Sequence, residues 1–392
     1  MRQLTITRRT IVGRVVTLAT VACALTTLLV ACGKAPGNTP EAFVVLPSAT
    51  ANEPAPQLAT PDLGLLTNAA EESNNATAYI VNPTTGGATT VSLTPLRADG
   101  QVEYGPNRTA EISQNVGQVQ RLLSAQAAGG PFDLLAMMEN AVRVTTGPGT
   151  LLIVSSGLST AGGFDLRQVG WDADPASIAA ELKHQGVLPD LTGWTVVFSG
   201  LGDTEGRQPS LPLPQRTALT QYWLAICHAA GAAQCRTDDL TRLDPPSHST
   251  TPVPVVPVPT LTQVAGPQDS TVVTVPADLL FALNSPALVA SADSVLGPLA
   301  AQARANGERV RITGYASPDG GSAAYNIALS DKRALAVRHR LVALGVPAGQ
   351  IVSVRGLGTD GVPPRACEVN GHLDETECAQ FRRVVVILFP RA

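Results

Sequence analysis

Proline sets the strongest limit on what this chain can fold into. Between Leu243 and Gln268 it carries Asp244-Pro245-Pro246 and then Pro252-Val253-Pro254-Val255-Val256-Pro257-Val258-Pro259. Each proline fixes φ and removes a backbone donor. Such a stretch therefore favours extended polyproline II and cannot run through the middle of a sheet. The chain divides there into one folded unit before and one after. Residues 243–268 read as a stiff linker, docking of a proline-binding partner being the rarer use. Residues 32–75, rich in Pro, Ala, Asn and Thr from Gly33 to Asn75, read as a second, flexible tether.

Residues 76–242 read as an α/β unit. Ala76 to Val81, Thr150 to Val154 and Trp194 to Ser199 are apolar runs of strand length. Helical patterns lie between and after them, over Asn115 to Ala127, Pro131 to Arg143, Pro175 to His184 and Leu213 to Ala230. That alternation predicts a doubly wound, Rossmann-like parallel sheet. With Leu151-Leu152-Ile153-Val154-Ser155-Ser156-Gly157-Leu158, the unit resembles a divergent von Willebrand factor A-like domain. The resemblance implies a metal site built from a DxSxS loop after the first strand, a Thr and a later Asp. Here the first loop reads Asn82-Pro83-Thr84-Thr85-Gly86, Pro131-Phe132-Asp133 stands at the Thr position, and Ser155 or Ser156 at the Asp position. A hard divalent cation wants charged oxygen ligands, so no metal and no other cofactor is expected.

The last unit spans residues 269–392. Arg309 to Thr313 alternates polar and β-branched residues, a half-buried strand that ends at Gly314. Asp319, Gly320, Gly321 and Ser322 supply turn chemistry and a helix N-cap. Leu329, Val337, Leu341 and Leu344 then recur at helical spacing, and Gly345 stands where a left-handed cap is needed. Arg333 falls on the flank of that stripe, partly desolvated and in want of an anion. Ser291 to Arg304 is a second helix, and Ile351 to Val354 and Arg383 to Phe389 are further strands. Together they predict a small α/β sandwich.

Gly314-Tyr315-Ala316-Ser317, Tyr325-Asn326, Leu329-Ser330, Arg333-Ala334, Gly356-Leu357-Gly358 and Arg382-Arg383-Val384 carry a family likeness. The segment resembles the OmpA C-terminal-like family, whose members bind peptidoglycan non-covalently. The resemblance implies that Arg333 takes the carboxylate of a diaminopimelate stem peptide. It puts an Asp for the ligand's ammonium just after the second strand, where this chain has Ser317, with Asp319 two residues on. Asn326, Arg382 and Arg383 complete the implied ligand set, although Phe381 replaces the Asn that usually precedes the paired arginines.

The amino terminus points outside the cytoplasm. Arg2, Arg8, Arg9 and Arg14 precede the apolar run Val15 to Ala31, and Leu29-Val30-Ala31-Cys32-Gly33 fits a bacterial lipobox. Residues 1–31 then form a lipoprotein signal peptide, and Cys32 carries diacylglycerol and fatty acyl chains such as palmitate. An uncleaved helix is the alternative, at the lower length limit for a span. Removing these residues takes out four arginines and no acid, so the formal charge goes from −4 to −8. An acidic chain excludes nucleic acid as a partner. Two close cysteine pairs, Cys227 with Cys235 and Cys367 with Cys378, read as disulfides in an exported chain. Zinc is the other option, with His228 and His372 nearby but no CxxC pair.

Ser155 and Ser156 lack the GxSxG elbow, and no His/Asp arrangement accompanies them, so no catalysis is expected. The favoured reading is a non-enzymatic lipoprotein of the cell envelope, extracytoplasmic, that links membrane to wall. Its middle domain presents a face to an unknown protein partner. The alternative is an envelope enzyme or export-complex subunit that uses the last domain only for wall targeting. Cys32→Ala is expected to abolish lipid labelling and to leave unprocessed precursor; equal labelling of variant and wild type would refute the lipobox.

Overall fold

The computed structural model describes residues 41–391 except 74, 239–244, 283, 319–320, 364 and 370. Residues 1–31, read above as a signal peptide, lie outside the described residues, as do Cys32 and Asp319.

The first unit comprises β1 (Glu41–Pro47), α1 (Thr60–Glu72), β2 (Ala76–Val81), β3 (Ala88–Ser92), α2 (Arg108–Ser124), α3 (Leu134–Ala141), β4 (Thr150–Val154), α4 (Leu166–Val169), α5 (Pro175–His184), β5 (Thr195–Ser199), α6 (Leu213–Ala229) and β6 (Gln234–Thr237). The strands form one sheet in the order β3-β2-β1-β4-β5-β6. Every pairing is parallel except the antiparallel edge between β2 and β3.

The sheet's central strand corrects the sequence reading. β1 lies inside residues 32–75, read above as flexible tether, yet it is hydrogen-bonded on both sides, to β2 and to β4. Its side chains alternate between two cores. Val44 and Leu46 join Leu151, Ile153, Phe198 and Trp223 on one face. Phe43 and Val45 join Leu152, Val197, Leu66 and Val119 on the other. A strand covered on both faces needs no polar alternation, so four consecutive apolar residues were its whole signal. α1, also within the supposed tether, covers the second face beside α2.

The proline segment is likewise no spacer. Val253 and Val256 are buried in the first unit's core. Gln208 holds the strap with both ends of its amide, donating from Nε2 to Val256 O at 2.9 Å and accepting from Val256 N at 2.8 Å. Asn52 Nδ2 donates to Val253 O at 3.3 Å, and Trp171 Nε1 to Pro257 O at 2.7 Å. The chain is extended here, as proline requires. It satisfies its backbone against side chains rather than a ladder, and so packs as a strap.

The second unit comprises β7 (Thr262–Ala265), β8 (Thr271–Pro276), α7 (Asp293–Asn306), β9 (Arg309–Gly314), α8 (Ala323–Ala343), β10 (Ile351–Gly356), β11 (Glu368–Val369), β12 (His372–Leu373), α9 (Glu375–Ala379) and β13 (Arg383–Phe389). Five strands form a mixed sheet, β10-β9-β13-β8-β7, with β11 and β12 a separate ribbon. β7 starts before residue 269, so the sheet reaches back into the segment read as linker. The core lies under α7 and α8, where Leu296, Ala300, Val337 and Leu341 meet Val310, Ile312, Val384 and Val386. Gly345, at φ 94°, ends α8 as the sequence required.

Both cysteine pairs stand at disulfide distance. Cys227 on α6 meets Cys235 on β6 with an S–S separation of 2.07 Å, and Cys367 meets Cys378 on α9 with Cα atoms 4.6 Å apart. Among the described residues no helix is long and apolar enough to cross a membrane.

All three tryptophans, Trp171, Trp194 and Trp223, lie in the first unit, so tryptophan fluorescence follows that unit alone. Gln208→Ala leaves the buried Val256 N–H and C=O without partners, and is expected to cost about 1–3 kcal/mol in urea unfolding followed by that fluorescence. An unchanged midpoint would contradict the strap.

Candidate functional site

α8 builds the site and the core with one stripe. Its buried residues are Asn326, Leu329, Ser330, Arg333, Ala334, Val337 and Leu341, which recur every three or four positions, two of the steps holding adjacent pairs, and so line a single helical face. The carboxyl half of the stripe is apolar and packs on the sheet. The amino half is polar and faces the loops that leave β9 and β10. Ser322 caps the helix, its Oγ accepting from Tyr325 N at 3.2 Å.

Close approach of helix and sheet needs glycine at two strand ends. A Cβ on Gly314 would lie 2.2 Å from Ser330 O, and one on Gly356 2.1 Å from Asp331 N. With both absent, Ser330 Oγ reaches the loop after β10, accepting from Gly358 N at 2.9 Å and donating to Ile327 O at 2.9 Å. Ala316 N donates to Gly358 O at 2.8 Å, which ties the loops after β9 and β10 together. Ser317 is buried in that junction, and its carbonyl accepts from Asn326 Nδ2 at 3.5 Å. The expected neighbours Ser317 and Asn326 are therefore brought together.

Arg333 is not on the flank of the stripe but within it, only 2% exposed. Helix geometry allowed both positions; the turn after β8 closes over it. Its Nε donates to Ser285 O at 3.0 Å, and its guanidinium lies 5.3 Å from the centroid of the Phe281 ring. Burial pulls its pKa down from the ordinary arginine value, while the charges of Asp172 and Asp278 act to hold it up. Arg382 is close enough to push in the opposite sense, so two guanidinium groups share one buried region.

The paired arginines part company. Arg382 is 4% exposed, and its Nε lies 3.5 Å from Asp172 Oδ2, a residue of the first unit. Arg383 turns the other way, donating from Nη1 to Gln380 O at 3.0 Å and standing 4.7 Å from the centroid of the Tyr315 ring. Arg383 thus rests against the Tyr315 ring. The alternation of a strand and its approach sends successive side chains to opposite sides.

Sequence reasoning missed the partners from the other unit. Asp172 comes from the first unit, whereas Asp278 belongs to the arginines' own unit, and the charges of both act on Arg333. Burial raises the pKa of the Tyr222 phenol on α6, and the charges of the same two carboxylates add to that rise. Gln215 Nε2 on α6 donates to Asp278 O at 3.2 Å across the domain boundary. No local pattern in Trp171-Asp172-Ala173-Asp174 marks this carboxylate. In the first unit, the loop Asn82 to Gly86 is the turn of the β2–β3 hairpin, its Thr84 and Thr85 N–H groups donating to Asn82 Oδ1. The crevice lies instead between β1 and β4, where the strand order reverses. There Ser48 Oγ donates to Ser155 Oγ at 2.7 Å, and Glu53 accepts from Thr50 N at 2.8 Å and Ser156 N at 2.6 Å.

The OmpA family model matches residues 280–372. No curated protein matches the chain. Among solved structures, the chain is similar to the cell wall anchor of the T6SS from Pseudomonas aeruginosa, with 26% identity over 33% of this chain and 88% of that one, at a TM-score of 0.28. It is also similar to the peptidoglycan-associated lipoprotein from Burkholderia pseudomallei, with 31% identity over 28% of this chain and 86% of that one, at a TM-score of 0.24. A third is the OmpA-like domain of FopA1 from Francisella tularensis, with 20% identity over 34% and 84% and a TM-score of 0.25. The helix with its polar amino half, set against a mixed sheet and carrying a buried arginine, accordingly belongs to an OmpA-like domain that the family model matches over residues 280–372.

Proposed function

We propose that this chain binds peptidoglycan non-covalently through its OmpA-like domain, with Arg333 receiving a carboxylate of a diaminopimelate stem peptide. The observation that carries the reading is the buried guanidinium of Arg333, at the family's carboxylate-binding position and beside Arg382. Two cations inside a domain are stable only against anions, and a planar guanidinium matches a carboxylate in two-point geometry. Ser317 and Asn326, which stand together, support a meeting point for the ligand's ammonium beside them.

The rest of the reading is a lipid-anchored envelope protein, held through Cys32, that joins membrane to wall. Cysteine pairs at disulfide distance in both units support an oxidising compartment. The first unit's strand order and single antiparallel edge support a von Willebrand factor A-like domain that offers a protein-binding face. The residues present do not fit that family's metal. The loop after β1 supplies Ser48 and Thr50, and the neighbouring carboxylate, Glu53, already accepts from two backbone N–H groups.

Arg333→Ala is expected to weaken sedimentation with diaminopimelate-type peptidoglycan about ten- to a hundredfold, the value of one charge-assisted two-point contact, with circular dichroism unchanged. Undiminished binding by the folded variant would overturn the reading. Release of muropeptides during the same incubation would favour an envelope enzyme instead.

A further inference from the structure

The buried arginines already face a carboxylate, and it comes from the other domain. Asp172 lies at the boundary with its side chain 4% exposed, 3.5 Å from Arg382, whose side chain is 5% exposed. Its charge also acts on Arg333. The segment that presents it is braced on both sides. Asp165 caps α4, accepting from Arg167 N at 3.0 Å, and Trp171 is pinned to the proline strap through Pro257 O. α4 packs on α9, and α6 packs on the turns at Ala277–Leu279 and Ala290–Ala292. A boundary selected only for cohesion would be apolar, because desolvating charges offsets most of what their pairing contributes. This one is loosely closed: Gln215 Oε1 is buried with no hydrogen-bond partner among the described residues. A cavity of about 340 Å³ remains between Trp171 to Pro175, Tyr222 and Phe281. Such a boundary separates more readily than a core.

We infer that Asp172 is an internal stand-in for the ligand carboxylate, and that the closed arrangement of the two domains shuts the peptidoglycan site. This rests on the reading that Arg333, with Arg382 beside it, receives a stem-peptide carboxylate. Asp172 already stands against Arg382, so a ligand carboxylate bridging Arg333 and Arg382 competes with it, and wall binding requires the first domain to withdraw. The strap's attachment by Asn52, Gln208 and Trp171 keeps Asp172 close, and an intramolecular competitor acts at high effective concentration. Apparent affinity then falls by the fraction of molecules that are open.

The test is titration of the full chain in detergent with a soluble muropeptide bearing a free diaminopimelate end. Wild type is compared with Asp172→Ala and the isosteric Asp172→Asn, each alone and with Arg333→Ala. Expected is at least about a tenfold gain in affinity for both Asp172 variants, removed by Arg333→Ala, with a larger radius of gyration by X-ray scattering. If Asp172→Ala fails to fold, Asp172→Asn and Gln215→Glu, which opens the same boundary from α6, carry the comparison. Unchanged affinity in the folded variants, still abolished by Arg333→Ala, overturns the closed site and leaves wall binding standing. Absence of binding by every folded chain overturns wall binding and the closed site with it.

Discussion

Two guanidinium groups placed inside the protein make the largest demand on this structure. Removing one ion from water costs several kcal/mol even after relaxation, so Arg333 and Arg382 dictate what must surround them. Ser285 O and the Phe281 ring come from the turn after β8, and Asp278 lies at its start. The remaining charge, Asp172, comes from the other domain, which makes the electrostatics of the site a property of both units. Neither domain by itself supplies the full set of neighbours.

Backbone packing sets how deep the arginines lie. The missing Cβ atoms at Gly314 and Gly356 let α8 approach the sheet ends closely enough for Ser330 to bridge to Gly358. Arg333 is one turn further along the same stripe, so it is carried inward with it. The Cys367–Cys378 pair acts on the other arginine. Cys378 lies on α9, and Phe381 N donates to Cys378 O while Arg382 N donates to Ala379 O, which fixes the approach to β13. Arg382 enters the sheet from a short braced segment instead of a loose loop.

The proline strap has more than one duty. Its valines complete the first unit's core, and its carbonyls receive Asn52 and Trp171. Trp171 is the residue before Asp172, so the segment joining the domains also positions the carboxylate that meets the arginines. A solvated linker of the same length would allow the domains to drift; a strap bonded along its length holds them near one another.

Much of the fold is legible in local sequence. The stripe of α8, its Ser322 cap and Gly345 end, the strands at Arg309, Ile351 and Arg383, and the cysteine pairs all follow from spacing and residue chemistry over short distances. β1 was hidden because a strand buried on both faces has no alternation, and Phe43 to Leu46 sit in a proline- and alanine-rich context. Composition determined that residues 252–259 are extended. Whether they stand in water or pack as a strap depends on Gln208, 48 residues from its partner, and on Asn52, 201 residues away. The sequence likewise marked Arg333 as a cation in need of an anion. Only tertiary structure decided that Asp172 meets Arg382, because a carboxylate in an ordinary turn carries no sign of which domain it will face.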